Sequence, residues 1–128
     1  MKLLKITPEG EFSIVTTTRE NLLYCCHKEI GCTCIEMPSC VALPGVFQLI
    51  VDESGLLKEG PKLNSLPWFW YSRLHEAAPI VGTVLVGRLA RVGDLRELDV
   101  VGLTDEDIKY FQDWENIAAE LYTPCRDF

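Results

Sequence analysis

Apolar and polar positions alternate at the start of the chain. Leu3-Leu4-Lys5-Ile6 and Phe12-Ser13-Ile14-Val15-Thr16 are short β-prone runs on either side of Pro8-Glu9-Gly10, a turn signal, and they predict an opening hairpin. The period then lengthens. Leu22, Leu23, Cys26 and Ile30 recur at helical spacing behind the Thr17-Thr18-Arg19-Glu20 capping pattern, and Gly31 supplies a stop, which predicts a helix over 18–30. Thr33 to Met37 reads as a strand stopped by Pro38, and Val46 to Val51 as a stronger one running into the turn at Asp52-Glu53-Ser54-Gly55. Pro67-Trp68-Phe69-Trp70-Tyr71 opens an aromatic segment with the pattern of a short helix to Ala77, and Ile80 to Val86 reads as a central strand. The last helix starts at Thr104 as N-cap, with Asp105, Glu106 and Asp107 in its first turn, where the helix dipole favours acids. Ile108, Phe111, Ile117 or Ala118, and Leu121 give it an apolar stripe, and Pro124 lies just past its end. These elements predict an α+β domain: a small mixed or antiparallel sheet with an N-terminal hairpin and two principal helices.

At 128 residues the chain is expected to form a single domain, 1–128, with a core large enough to stand without staples. A formal net charge of -7 argues against general affinity for nucleic acid, whose backbone rewards basic surfaces. Neither a secretory signal pattern nor an apolar run of membrane-spanning length occurs, so a cytoplasmic protein is expected, with no membrane partner. In that compartment cysteines are kept as thiols.

That expectation bears on residues 25–34, CCHKEIGCTC. Cys25 and Cys26 are adjacent and diverge by about 100° on a helix, while Cys32 and Cys34 share a strand face as an awkward chelate. The spacing misses the paired arrangement of a zinc site, and a redox Cys-x-x-Cys is absent. Core packing of the thiols is the favoured reading, with Cys40 and Cys125 treated alike. No metal and no cofactor is expected.

Charge is distributed unevenly. Residues 1–57 carry -3, residues 58–96 carry +3 and residues 97–128 carry -7. A basic centre in an acidic chain suggests a local anion site, with Arg73, Arg88 and Arg91 holding phosphates and Asn64 and Thr83 hydrogen-bonding. Most surface charges are merely solvated or ion-paired, and that is the competing account. Trp68, Phe69, Trp70 and Tyr71 are consecutive, so one side of an element cannot bury all four. Either a subunit interface or stacking of Trp68 or Trp70 on a base accounts for the remainder.

One further pattern spans most of the chain in consistent order. It comprises CIEM at 34–37, Val51-Asp52-Glu53-Ser54-Gly55, Lys62-Leu63-Asn64, Ile80-Val81-Gly82-Thr83 and Leu103-Thr104-Asp105-Glu106-Asp107-Ile108. It resembles the family described as domain of unknown function 3846, small proteins of bacterial phages and mobile elements. The aromatic stretch at 67–78 and the cysteines at 25–34 lie outside that pattern. The resemblance implies a phage or mobile-element origin in a bacterial host cell, and no catalytic residue comes with it. Two functions are therefore expected, neither enzymatic. The first is an oligomeric counter-defence protein sequestering a small anionic, nucleotide-derived immune signal through Asn64, Trp68, Trp70, Arg73, Thr83, Arg88 and Arg91. The second is an inhibitor or modulator that binds a host protein through the acidic C-terminal helix. His27 and His75 stand in no catalytic constellation, and Glu36 and Glu53 form an acid–base pair only if the fold brings them together.

Overall fold

The computed structural model describes residues 1–38, 44–58, 60–72, 79–95 and 97–121. The opening hairpin forms as expected, with β1 (Lys2–Ile6) paired antiparallel to β2 (Phe12–Thr16), Leu4 opposite Ile14. Helix α1 (Leu22–Ile30) begins four residues later than the sequence pattern predicts. Thr17 is still engaged with the strands, its N–H donating to the Met1 carbonyl, so it is not free to cap a helix. The Thr18 hydroxyl instead accepts from Asn21 N–H (3.3 Å) and closes a turn ahead of the helix. Gly31 ends α1 in the left-handed conformation (φ 77°), its N–H returning to the His27 carbonyl.

Strand β3 is only Ile35–Glu36, whereas β4 (Phe47–Asp52) matches the predicted strand. A short 3-10 turn, Gly55–Leu57, and helix α2 (Ser65–Ser72) follow. The aromatic run therefore is helical, starting two residues before Pro67; its predicted continuation over 73–78 lies outside the described residues.

The predicted strand at 80–86 is displaced. Strand β5 is Val84–Val92, and the residues before it make only a bridge, Leu63 to Val81. Strand β6 (Glu97–Val101), which the apolar pattern does not announce, pairs with the far half of β5. Helix α3 (Asp105–Leu121) closes the fold. The sheet order is β2-β1-β5-β4-β3 with β6 alongside β5, and every pairing is antiparallel, so the protein is α+β. Gly87 makes the β5–β6 crossing feasible, because a methyl group there would sit 2.6 Å from the Val100 side chain.

Alternation along β1, β4 and β5 divides the core in two. Leu4, Ile6, Leu49, Val84 and Val86 face α2 and α3, meeting Leu66, Trp70 and Phe111. Leu3, Ile50, Leu85 and Val100 face the other way and pack with Cys26 of α1. Three layers result, with the sheet in the middle. Among the described residues no helix is long and apolar enough to cross a membrane.

Candidate functional site

Among the described residues, the bases at the centre of the sequence do not gather around one hollow. Arg88 points from β5 toward α3 and forms a two-pronged ion pair with Asp107, Nε to Oδ2 at 2.8 Å and Nη2 to Oδ1 at 3.1 Å. The same carboxylate accepts from Thr104 N–H (2.9 Å), while Asp107 N–H donates to Thr104 Oγ1 (3.1 Å), a reciprocal cap on α3. Burial alone would raise the Asp107 carboxyl, yet hydrogen bonds from Arg88 and Thr104 outweigh it and hold it below the usual carboxylate range. The phosphate-holding role expected for Arg88 is thus corrected: its fork is already filled by a carboxylate. Arg91 lies three residues further along β5 and so on the opposite face of the sheet, an exposed position from which it cannot act with Arg88. Arg73 lies outside the described residues.

The aromatic and hydrogen-bonding members are placed differently from the expectation. Trp70 is 0% exposed, its ring edge-on to Trp114 (5.6 Å between centroids) and tilted against Phe111 (5.8 Å), so it offers no face to a base. Trp68 is half-buried against the same core. Asn64 is also 0% exposed. Its Nδ2 donates to the Ile6 and Gly82 carbonyls, both at 2.9 Å, which ties the end of β1 to the approach to β5 at the start of α2. That is a structural tie and not a reading head. Thr83 does line a hollow, of about 270 Å³, together with Lys58 and Lys62. Each lysine has an acid nearby: Lys58 Nζ is 2.6 Å from Asp52, and Lys62 Nζ is 3.6 Å from Glu9.

Glu36 and Glu53 line one hollow of about 150 Å³ with Asp52 and Tyr71. Among the described residues no group of three or more His, Cys, Asp or Glu is arranged to hold a metal ion. Cys25 and Cys26 are buried, Cys32 is half-buried and Cys34 exposed, all as free thiols. Burial pushes the Cys26 thiol up to about 11, with Cys25 and Cys32 adding to the effect. Since the folded thiol keeps its proton to higher pH than the unfolded one, its contribution to stability is complete below pH 9.0 and is lost as pH rises through about 11. Iodoacetamide labelling followed by mass spectrometry is expected to modify Cys34 first among these four and Cys26 last, because the thiolate is the nucleophile.

The surface the sequence did not single out is the outer side of β2. Strand β2 ends the sheet, and it shares one hollow with residues of α3 and another with residues of α1. Toward α3 runs a groove of about 110 Å³ lined by Leu4, Phe12, Ile14, Ile108, Phe111 and Glu115. Toward α1 lies a wider hollow of about 460 Å³ lined by Val15, Thr18, Asn21, Tyr24, Lys28 and Glu29. Tyr24 is 69% exposed there. The signal that could have pointed to this edge is the lack of any charge or proline in Phe12-Ser13-Ile14-Val15-Thr16, since sheet edges are commonly guarded by such residues.

Comparison with family models, with curated proteins and with solved structures found no match to this chain.

Proposed function

We propose that this chain is a non-catalytic modulator directed at another protein, engaging a basic region of its partner through α3 and the groove between α3 and β2. One observation carries the reading: an apolar groove bordered by Ile14 and Phe111 has a carboxylate, Glu115, at its lip. Glu106 and Asp113 on the same helix are exposed and make no ion pair among the described residues, whereas Asp107 is turned inward to Arg88. Acids held on a rigid helix beside apolar area attract a basic partner and then give it something to bury. The family resemblance supplies the setting, a phage or mobile element acting in the cytoplasm of a bacterial host.

Sequestration of a nucleotide-derived anion is the second reading, and the hollow at Thr83 is what favours it, because the Lys62 side chain there is 71% exposed. The two separate experimentally. Capture of a protein from bacterial lysate by the immobilised chain is expected to weaken about tenfold in the Glu106→Gln, Asp113→Asn, Glu115→Gln triple variant, and to weaken similarly at high salt. Capture indifferent to those changes overturns the reading. A thermal shift with cyclic dinucleotides or ADP-ribose, abolished by Lys62→Ala, would replace it with the second.

A further inference from the structure

Strand β2 has hydrogen-bonding capacity to spare. Thr7 N–H donates to the Glu11 carbonyl at one end of the hairpin (3.0 Å), and Thr17 N–H to the Met1 carbonyl at the other (2.9 Å). Antiparallel ladders alternate in steps of two, so Ser13 and Val15 also bond to β1, while the N–H and C=O groups of Phe12, Ile14 and Thr16 point outward. No strand covers them among the described residues. The side chains of those three residues lie on the α3 face, and Ile14 is 41% exposed.

A strand laid along this edge would send alternate side chains to opposite faces of the sheet. The molecule has an opening ready on each face at that edge: the apolar groove beside α3, and beside α1 a wider hollow of mixed character where Thr18 and Asn21 sit with Tyr24, Lys28 and Glu29. We infer that β2 is a receptor edge for an extended segment of another protein, which adds as a new outer strand. Its alternate residues are apolar and basic toward Phe12, Ile14 and Glu115, and small or polar toward Thr18, Asn21 and Tyr24. This rests on the protein-directed reading above and narrows it to β-strand addition.

Charge decides between a foreign segment and a second copy of this chain. Self-pairing of β2 would bring together two molecules of net charge -7, each with its Glu115 lip on the same side. A basic segment meets the opposite sign.

The probe is a synthetic heptapeptide, Arg-Thr-Leu-Thr-Val-Thr-Arg, titrated into isotopically labelled protein. Amide shifts at Phe12, Ile14 and Thr16 are expected, with slowed hydrogen exchange at those three positions. The same peptide with its leucine and its central threonine both replaced by proline is expected to bind at least tenfold more weakly, because those two amides face opposite ways and one of them must enter the ladder whichever way the segment runs. On the protein side, Ile14→Pro removes an outward N–H and leaves the β1 ladder intact, and it too is expected to abolish binding. The proline peptide keeps the test valid should that variant not fold. Absence of shifts at millimolar peptide overturns the inference, as does equal binding of the proline peptide. A dimer on size-exclusion chromatography that Ile14→Pro dissolves also overturns it, by giving the edge to a second copy. Lysate capture lost on neutralising the α3 acids but retained in Ile14→Pro sinks strand addition while leaving the protein-directed reading standing. Capture insensitive to the α3 acids sinks that reading itself.

Discussion

Trp70→Ala is expected to cost about 4 kcal/mol of folding stability, the middle of the range for emptying a buried aromatic site. Trp70 is completely enclosed, in contact with Phe111 and Trp114 where α2 crosses α3. Cutting it to a methyl group leaves a hole that two helices and a sheet cannot close together. Against a typical total of about 5–15 kcal/mol, this is enough to leave the variant only marginally folded at 37 °C. Urea denaturation followed by circular dichroism measures it. A loss under about 1 kcal/mol would show that the indole is not a core element, and a ligand role for it would return to consideration. Trp70→Phe, which keeps most of the volume, is expected to lose roughly half as much.

Asp107→Ala is expected to cost about 2 kcal/mol, since it removes a helix cap and takes the carboxylate from an Arg88 side chain that is only 32% exposed. Arg88 also lies 5.9 Å from the Phe47 ring centroid, a contact it would give up by turning fully into water. Replacing both partners at once, Arg88→Met with Asp107→Leu, is expected to cost less than the sum of the single losses, because neither charge is then stranded. The pH dependence follows from the depressed Asp107 carboxyl. Its unfolded form binds a proton at higher pH than its folded form, so the stabilisation is present above the ordinary carboxylate range near pH 4 and is lost as pH falls through the folded value. Denaturation midpoints measured from pH 7 down to pH 2 should fall more steeply for the parent chain than for the double variant.

The hairpin and the last helix could be read from the residues because their signals are local. Two alternating runs around Pro8-Glu9-Gly10 have few other ways to pair, and Thr104 followed by three acids marks a helix start independently of what surrounds it. The second half of β5 was hidden by its own chemistry. Gly87, Arg88 and Arg91 interrupt the apolar run, and the reasons they belong in a strand lie elsewhere: Val100 needs the room at Gly87, and Asp107 needs the cation. The partner of Arg88 was hidden on the same ground. Counting charges along the chain gives sign without register, so it could not show that the central arginine and the acidic helix answer one another. One clue was present, since Asp107 shares a stripe with Phe111, Trp114 and Ala118, and a carboxylate on the inner side of an amphipathic helix implies a buried partner. The β2 edge is different again. Which strand ends a sheet is a property of the whole topology and is written in no single segment.

The middle of the sheet arrives late. Strand β5, which β1, β4 and β6 all adjoin, begins at Val84, so during synthesis everything from β1 through α2 must emerge before any of those partners can dock. Until then the apolar sides of β1 and β4 are uncovered and open to wrong associations. The yield of properly folded molecules in a cell should therefore respond to how quickly the ribosome passes the stretch that encodes this strand.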